Sequence, residues 1–470
     1  MRAAILGLLV AGMGVARAAD GGTAPPPDTT AAEVRDAPPP DQASGTTTER
    51  DDGHGWLWVP RVLLFIPRWT AEIVFAPVRG ALWVFEKYEI REKLESIFFN
   101  DEGTMGLYPL AFFETGFGLN VGARFVYRDI FGHGERLRLR ASYGGRFRQL
   151  YAAKLTTGTL LGDRVMLDLR PEFEIYPKSR FFGFGNGDLQ PPADVVMPVD
   201  PRLDDTAVET RFRHDDVSID LGVSVRLPLD LSLRPSAVFL HRDFRDDADL
   251  QGQPLVTDIY QRNALVGIDD LRSLRGELEL TYDSRRPTRD YLSTAMPATG
   301  WKLSGFGGYA HGLGDDPSSY SRYGADLLRY LDLHRGDRVL VLRTYLEALA
   351  GDPERVPFTE LPSLGGPSIL RGYPRHRFRD RVAVLGSAEY IYPIARQASG
   401  YLFLDTGRVY RSFSDFAFEE YRLGYGGGLY IFTGSSFLAS LAFSSSSDGG
   451  FFFNLGFDPV YDVRARTEAP

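Results

Sequence analysis

RGELELTYDSRR, residues 275–286, changes polarity at every second position. Leu278, Leu280 and Tyr282 fall on one side, and Glu277, Glu279 and Thr281 on the other. Successive side chains of a strand point to opposite faces, so a period of two reads as a strand with one apolar and one charged face. Carboxylates turned into a dry core carry a large desolvation cost, whereas a wet interior accepts them. The stretch therefore points to a sheet that is apolar on its outside and watery on its inside.

The same alternation recurs along the chain. ERLRLRASYGG (135–145) sets Leu137, Leu139, Ala141 and Tyr143 against Arg136, Arg138 and Arg140. RVMLDLRPEFEIY (164–176) sets Val165, Leu167 and Leu169 against Met166, Asp168 and Arg170. DRVLVLRTYLEALAG, GYLFLDTGRVY, YRLGYGGGLYIF and SSFLASLAFSSSS continue it, with Gly, Asp and Pro between segments. About sixteen such segments lie between residues 105 and 457, at roughly 22 residues per strand and turn. A tilted strand of about ten residues crosses a hydrocarbon layer, and closure leaves no unpaired edge. The expected fold is all-β: a 16-stranded antiparallel transmembrane β-barrel over 105–457 with a short N-terminal interfacial helical segment. A soluble sandwich array or propeller is the alternative. No blade-length repeat is present, and 32 Phe, 23 Tyr and 50 Gly among 470 residues suit a barrel.

The N-terminal part of the expected organisation, residues 1–104, has a different character. MRAAILGLLVAGMGVARAAD carries Arg2, an apolar run from Ala3 to Val15 and the small-x-small pattern Ala16-Arg17-Ala18. This reads as a signal peptide over residues 1–19. Residues 20–55 are rich in Pro, Thr, Ala and Asp and read as a disordered tether. Residues 56–104 read as an aromatic-rich amphipathic segment. Trp56, Trp58, Trp69 and Trp83 alternate there with Arg61, Arg68 and Arg79, and Pro60, Pro67 and Pro77 break the apolar runs. An indole is half apolar and half polar, so a membrane interface suits these four tryptophans. A segment plugging the barrel, or a helix packed on a soluble core, are the other readings. Residues 458–470 read as a C-terminal tail.

Composition excludes several chemistries. The chain has no cysteine, so disulfides, thiolate metal sites and cysteine nucleophiles are absent. A net charge of -9, with basic and acidic residues interspersed, argues against a nucleic-acid partner. No later segment is apolar enough for a membrane helix. No Walker loop, H-E-x-x-H, G-x-S-x-G or calcium loop occurs, and the seven histidines are scattered singly. The expectation is no catalytic residue, no metal and no cofactor.

One stretch does not fit a plain strand or turn. GGPSILRGYPRHRFRD (365–380) places Arg371 in a glycine-marked loop between two strand-like segments. ILRGYPRHRF resembles the (V/I)RG(F/Y) signature in the long sixth extracellular loop of the BamA/TamA family of outer-membrane proteins, with Arg371, Gly372 and Tyr373 as the signature residues. LGSAEYIYPI resembles the next strand, which carries an acidic residue in that family, here Glu389. GYLFLDTGRVY resembles the F-x-D-x-G strand that follows, matching Phe403, Asp405 and Gly407. RFFGFGNGD (180–188) and YDSRRPTRDYLSTAMPATGWKLS resemble a further loop and a mid-barrel strand pair. FFFNLGF (451–457) has the form of the terminal strand, with Phe457 as the C-terminal aromatic read by assembly machinery.

The resemblance implies a bacterial outer-membrane location, with outer-membrane lipid and lipopolysaccharide as surroundings. It implies a loop folded into the lumen, with Arg371 paired to Glu389 and Asp405. It implies client outer-membrane proteins or periplasmic factors as partners, and a seam between first and last strands as the working part. The family's periplasmic POTRA modules have no counterpart in the expected organisation. Two functions stay open on sequence: insertion or translocation of proteins, or a passive channel that keeps only the loop lock. An outer-membrane enzyme is a third class, for which no constellation is seen.

Overall fold

The computed structural model describes residues 98–461, apart from 101, 145–147, 162–163, 195–197, 203–205, 246–247, 249, 251, 287–296, 335–337, 396 and 433–436. Among the described residues, eighteen strands run in chain order. They are β1 (Met105–Glu114), β2 (Gly118–Arg128), β3 (Arg136–Tyr143), β4 (Gln149–Thr156), β5 (Val165–Phe181), β6 (Thr210–Leu227), β7 (Leu231–Arg245), β8 (Asp270–Asp283) and β9 (Gly300–Gly312). There follow β10 (Ser319–His334), β11 (Arg338–Ala350), β12 (Ser363–Leu364), β13 (Phe378–Arg379), β14 (Val382–Ala395), β15 (Ala398–Tyr410), β16 (Arg422–Phe432), β17 (Phe437–Ser446) and β18 (Phe452–Tyr461). All but β12 and β13 pair with their neighbours into one closed barrel of sixteen strands, and β18 returns to pair with β1. Every ladder between adjacent barrel strands is antiparallel.

The two-residue period sets the faces. On β8, Leu278 and Leu280 are 51% and 46% exposed on the outer wall. Glu277 points inward, to within 3.6 Å of Arg275 and 3.7 Å of Arg322. On β3, Leu139 and Tyr143 are exposed, while the Arg140 guanidinium lies 4.8 Å over the ring of Phe112. The interior is lined with ion pairs across strands: Arg234 with Asp168 and Asp220, Arg322 with Glu347, and Arg343 with Asp326. Such pairs satisfy charged groups that the closed wall takes away from bulk water.

The long loop between β11 and β14, residues 351–381, turns into the barrel. The β12–β13 hairpin closes its base, with Ser363 opposite Arg379 and Leu364 opposite Phe378. Its first half carries Phe358 into an aromatic cluster with Phe181 (5.2 Å between ring centres) and Phe212 (5.5 Å). Its second half buries Leu364, Leu370, Tyr373 and Phe378 against Ala383, Leu385 and Val409. Burial of these rings and aliphatic chains stabilises the loop inside, at roughly 1.5–3 kcal/mol for each fully buried side chain.

Two boundaries differ from or refine the expected ones. β18 runs four residues past Phe457, to Tyr461, so the strand invades the stretch expected as tail. The reason is a register shift in the β17–β18 ladder, between the pairs Ala439↔Phe457 and Phe437↔Tyr461. Pro459, which has no N–H to donate, falls inside that irregularity, where a strand tolerates proline. At the other end, Phe99 pairs back on Gly106, and its ring stacks on Tyr108 at 5.9 Å. The chain thus reaches β1 along that strand's inner face. Residues 1–97 lie outside the described residues. The expectations for the signal peptide, the tether, the missing POTRA modules and nearly all of the interfacial segment lie there too.

Candidate functional site

Parity places the carboxylates. β14 and β15 pair with Ser387 opposite Asp405 and Glu389 opposite Phe403. Glu389, Ser387, Asp405 and Phe403 thereby share the inner face, while Leu404 between the last two is 50% exposed on the outer wall. The loop tip lowers Arg371 onto this patch. Its Nε and Nη2 donate to Asp405 Oδ2 and Oδ1 at 2.8 Å each, and its Nη1 donates to Glu389 Oε2 at 2.6 Å. Nη2 also reaches Ser387 Oγ at 3.3 Å, and the backbone N–H of Arg371 donates to Asp405 Oδ2 at 2.9 Å. The guanidinium plane covers Phe403 with 3.6 Å from its central carbon to the ring centre. A fork of donors met by two carboxylates above an aromatic face uses the features that set arginine apart from lysine.

The carboxylates are held in turn. Ser387 Oγ donates to Asp405 Oδ1 at 2.6 Å, and Tyr430 Oη donates to Glu389 Oε1 at 2.8 Å. Tyr430 stacks on Tyr401 at 4.1 Å. Burial alone would disfavour the Arg371 charge. Asp405 and Glu389 overcome it and hold the guanidinium well above the ordinary arginine pKa. Asp405 is 1% exposed, so removing its partner leaves a buried charge uncompensated.

Backbone geometry lets the tip approach this closely. Gly372 has φ +96, and a Cβ there would lie 2.1 Å from the Ser445 carbonyl oxygen. Gly424 on β16 faces the Arg371 carbonyl, which would lie 1.8 Å from a Cβ. Only glycine fits either place. Leu370, with φ 52, carries the strain of the turn just before Arg371.

The loop has three further anchors, of which sequence singled out Tyr373 alone. Glu360 accepts from Arg242 Nη1 at 2.9 Å and from Tyr320 Oη at 3.2 Å, with Arg275 at 3.7 Å, which ties the first half to β7, β10 and β8. Tyr373 Oη donates to Asp448 Oδ1 at 3.2 Å and lies 2.9 Å from Ser447 Oγ in the β17–β18 turn. Arg375 grips Glu114 on β1. Parity along L-G-Y-G-G-G-L-Y could have put Tyr430 on the inner face. Nothing local marks Glu360 or Glu114, because their partners are distant in sequence.

The structure brings together Arg371, Gly372, Glu389, Phe403 and Asp405. Tyr373 turns away to the β17–β18 turn. Gly407 packs on the loop base, where a Cβ would lie 2.9 Å from Leu364. Phe457 pairs with Ala111 across the seam. Trp56, Trp58, Trp69 and Trp83 lie outside the described residues. Among the described residues one cluster has the composition of a metal site, His241, Asp243 and Asp270. Arg272 Nε lies 3.4 Å from His241 Nδ1.

The chain is a sixteen-stranded barrel closed between its first and last strands, with Arg371 of the long loop seated on its inner wall. The Omp85 superfamily domain matches residues 129–457, more than half of the chain, and the protein belongs to that superfamily. Among solved structures it is similar to BamA from Haemophilus ducreyi lacking POTRA domains 1-3, at 16% identity and a TM-score of 0.54, over 75% of this chain and 70% of that one. It also aligns with CdiB from Acinetobacter baumannii (11% identity, TM-score 0.46) and CdiB from Escherichia coli (13%, 0.46), over 75% of this chain in both cases and 60% and 62% of theirs. No curated protein matches the chain.

Proposed function

We propose that this barrel assists the insertion or translocation of proteins at the bacterial outer membrane, working through the seam between β1 and β18. The observation that carries the reading is the seam itself. β1 pairs with β2 along its full length, Met105–Glu114, but with β18 only through Ala111–Glu114 against Asn454–Phe457. A short ladder opens at lower cost than its neighbours, and an opened β1 offers a free edge on which a client strand can pair. Membership of the Omp85 superfamily supports this reading. The leucine-lined outer wall is matched to lipid, and the outer leaflet's lipopolysaccharide is the expected surrounding of the long-loop end.

The test uses purified full-length protein in liposomes, challenged with an unfolded eight-stranded barrel. The expected outcome is folding of the client into the bilayer at least several-fold faster than in protein-free liposomes. A stable single-channel conductance with no acceleration would instead assign a passive pore.

A further inference from the structure

We infer that Arg375 and Glu114 form a seam clasp: the long loop holds the closed end of the β1–β18 seam from inside and gates its opening. The inference deepens the proposed function and rests on that reading of the seam.

Three facts converge on the short ladder. The paired part of the seam ends at Glu114↔Asn454, the last residue of β1. Beyond it Thr115 continues the contact, with its N–H donating to the Phe453 carbonyl at 3.0 Å and its Oγ1 accepting from the Phe453 N–H at 2.8 Å. Arg375 meets Glu114 at this terminal position with two of its nitrogens. Nε lies 2.7 Å from Oε2 and 2.9 Å from Oε1, and Nη2 lies 2.7 Å from Oε2. The side chains are 28% and 18% exposed, so water screens this pair only in part.

The other side of the seam is held by the same short stretch of loop. Tyr373, two residues before Arg375, bonds into the β17–β18 turn at Ser447 and Asp448. Gly372 lies against the Ser445 carbonyl at the end of β17. Residues 372–375 therefore touch β1 with one side chain and the β17–β18 turn with another. The chain between them is short, and Arg371 fixes it to the wall next to them. The β1–β2 turn is braced as well, by Arg180 donating to the Gly116 carbonyl at 3.2 Å and covering Phe117 at 5.6 Å. For β1 to swing away from β18, the Arg375–Glu114 pair must break or the whole loop tip must leave the Arg371 lock. Arg375 is thus a positioning residue for the seam, distinct from the lock that seats the loop.

Spin labels on cysteines placed at Val121 of β2 and Leu441 of β17 flank the seam one strand away on either side, in a chain with no native cysteine. Pulsed dipolar distances are measured in the otherwise unchanged protein, in Arg375→Glu, Glu114→Arg, the double exchange, and the uncharged polar Arg375→Gln. The clasp predicts one narrow distribution in the parent. It predicts a longer, broader one in each single variant and return of the narrow one in the double exchange. Heat-modifiable folded mobility, which reports the Arg371 lock, stays unchanged in Arg375→Gln. Parent-like distances in Arg375→Gln and both single exchanges overturn the clasp, and so does a double exchange as broad as the singles. Should the reversed charges prevent folding, Arg375→Gln alone decides, by a broadened or a parent-like distribution. Because distances are read without any client, absence of insertion by the parent protein sinks the proposed function and leaves this result standing on its own.

Discussion

At the scale of single residues, the lock is one guanidinium shared by two carboxylates and a ring. Arg371→Ala removes the only cation within hydrogen-bonding reach of Asp405 among the described contacts and leaves that carboxylate buried. Breaking one side of a buried pair costs about 3–5 kcal/mol. The folded band in a heat-modifiable gel should convert at a clearly lower temperature in Arg371→Ala. Arg371→Lys should lie between, because an ammonium cannot span Asp405 and Glu389 with one planar fork. Conversion temperatures of Arg371→Ala and of a Glu389→Gln/Asp405→Asn double variant equal to the parent's would remove the lock from the account.

His376, in the same loop, carries a pH dependence. Its Nδ1 lies 2.7 Å from Ser363 Oγ. Burial, then Arg379, Arg375, His214 and Arg242, push its pKa well below that of a free histidine. A base whose folded pKa is lowered binds fewer protons folded than unfolded. Its contribution is therefore complete above the unfolded value of about 6.5 and is lost as pH falls toward the folded value. Acidification from pH 7.5 to 5 should lower the parent's conversion temperature more than that of His376→Asn, a residue that accepts the φ of 56 found there. Equal slopes would show that His376 stays neutral in both states or is charged in both.

At the scale of elements, the alternation of β8 decides what each position tolerates. Leu278 faces outward and Glu277 inward. Leu278→Arg should cost about 2–4 kcal/mol if it lies near the bilayer midplane, less toward either interface. Glu277→Gln should change stability less, and a folding titration in lipid that ranks the two the other way would reverse the faces of the strand. The faces of β8, β14 and β15 are legible in sequence because parity is local: once Leu404 is placed outward, Asp405 must point inward. What joins distant strands is not legible. Glu114 meets Arg375 only because closure sets β1 beside β18, under the loop tip that Tyr373 ties to the β17–β18 turn, and Glu360 meets Arg242, Arg275 and Tyr320 only because the loop crosses the interior. The extension of β18 to Tyr461 was hidden for another reason. The strand is expected to end at Phe457 because that residue has the form of a terminal aromatic, and the register irregularity that carries β18 on to Tyr461 leaves no local sign.

At the scale of the whole molecule, the long loop is a tie across the barrel interior. Glu360 binds it to β7, β8 and β10, Arg371 to β14 and β15, Tyr373 to the β17–β18 turn and Arg375 to β1. Glu360→Gln should therefore weaken the loop from the side opposite the seam, and protease cleavage within residues 351–362 should quicken while cleavage near Arg371 does not. Cleavage rates that rise together would mean that the loop leaves the wall as one unit. Of the barrel's ladders, β1–β18 has the fewest pairs among the described residues, Ala111–Glu114 against Asn454–Phe457.

That ladder is open to one direct measurement. Ala111 and Phe457 are partners across the seam, and the chain has no other cysteine to confuse a crosslink. In the Ala111→Cys/Phe457→Cys protein, reconstituted in liposomes, oxidation should abolish the acceleration of client folding, and reductant should restore it. Full activity in the disulfide-locked barrel would contradict the account, because a client could then insert without the seam.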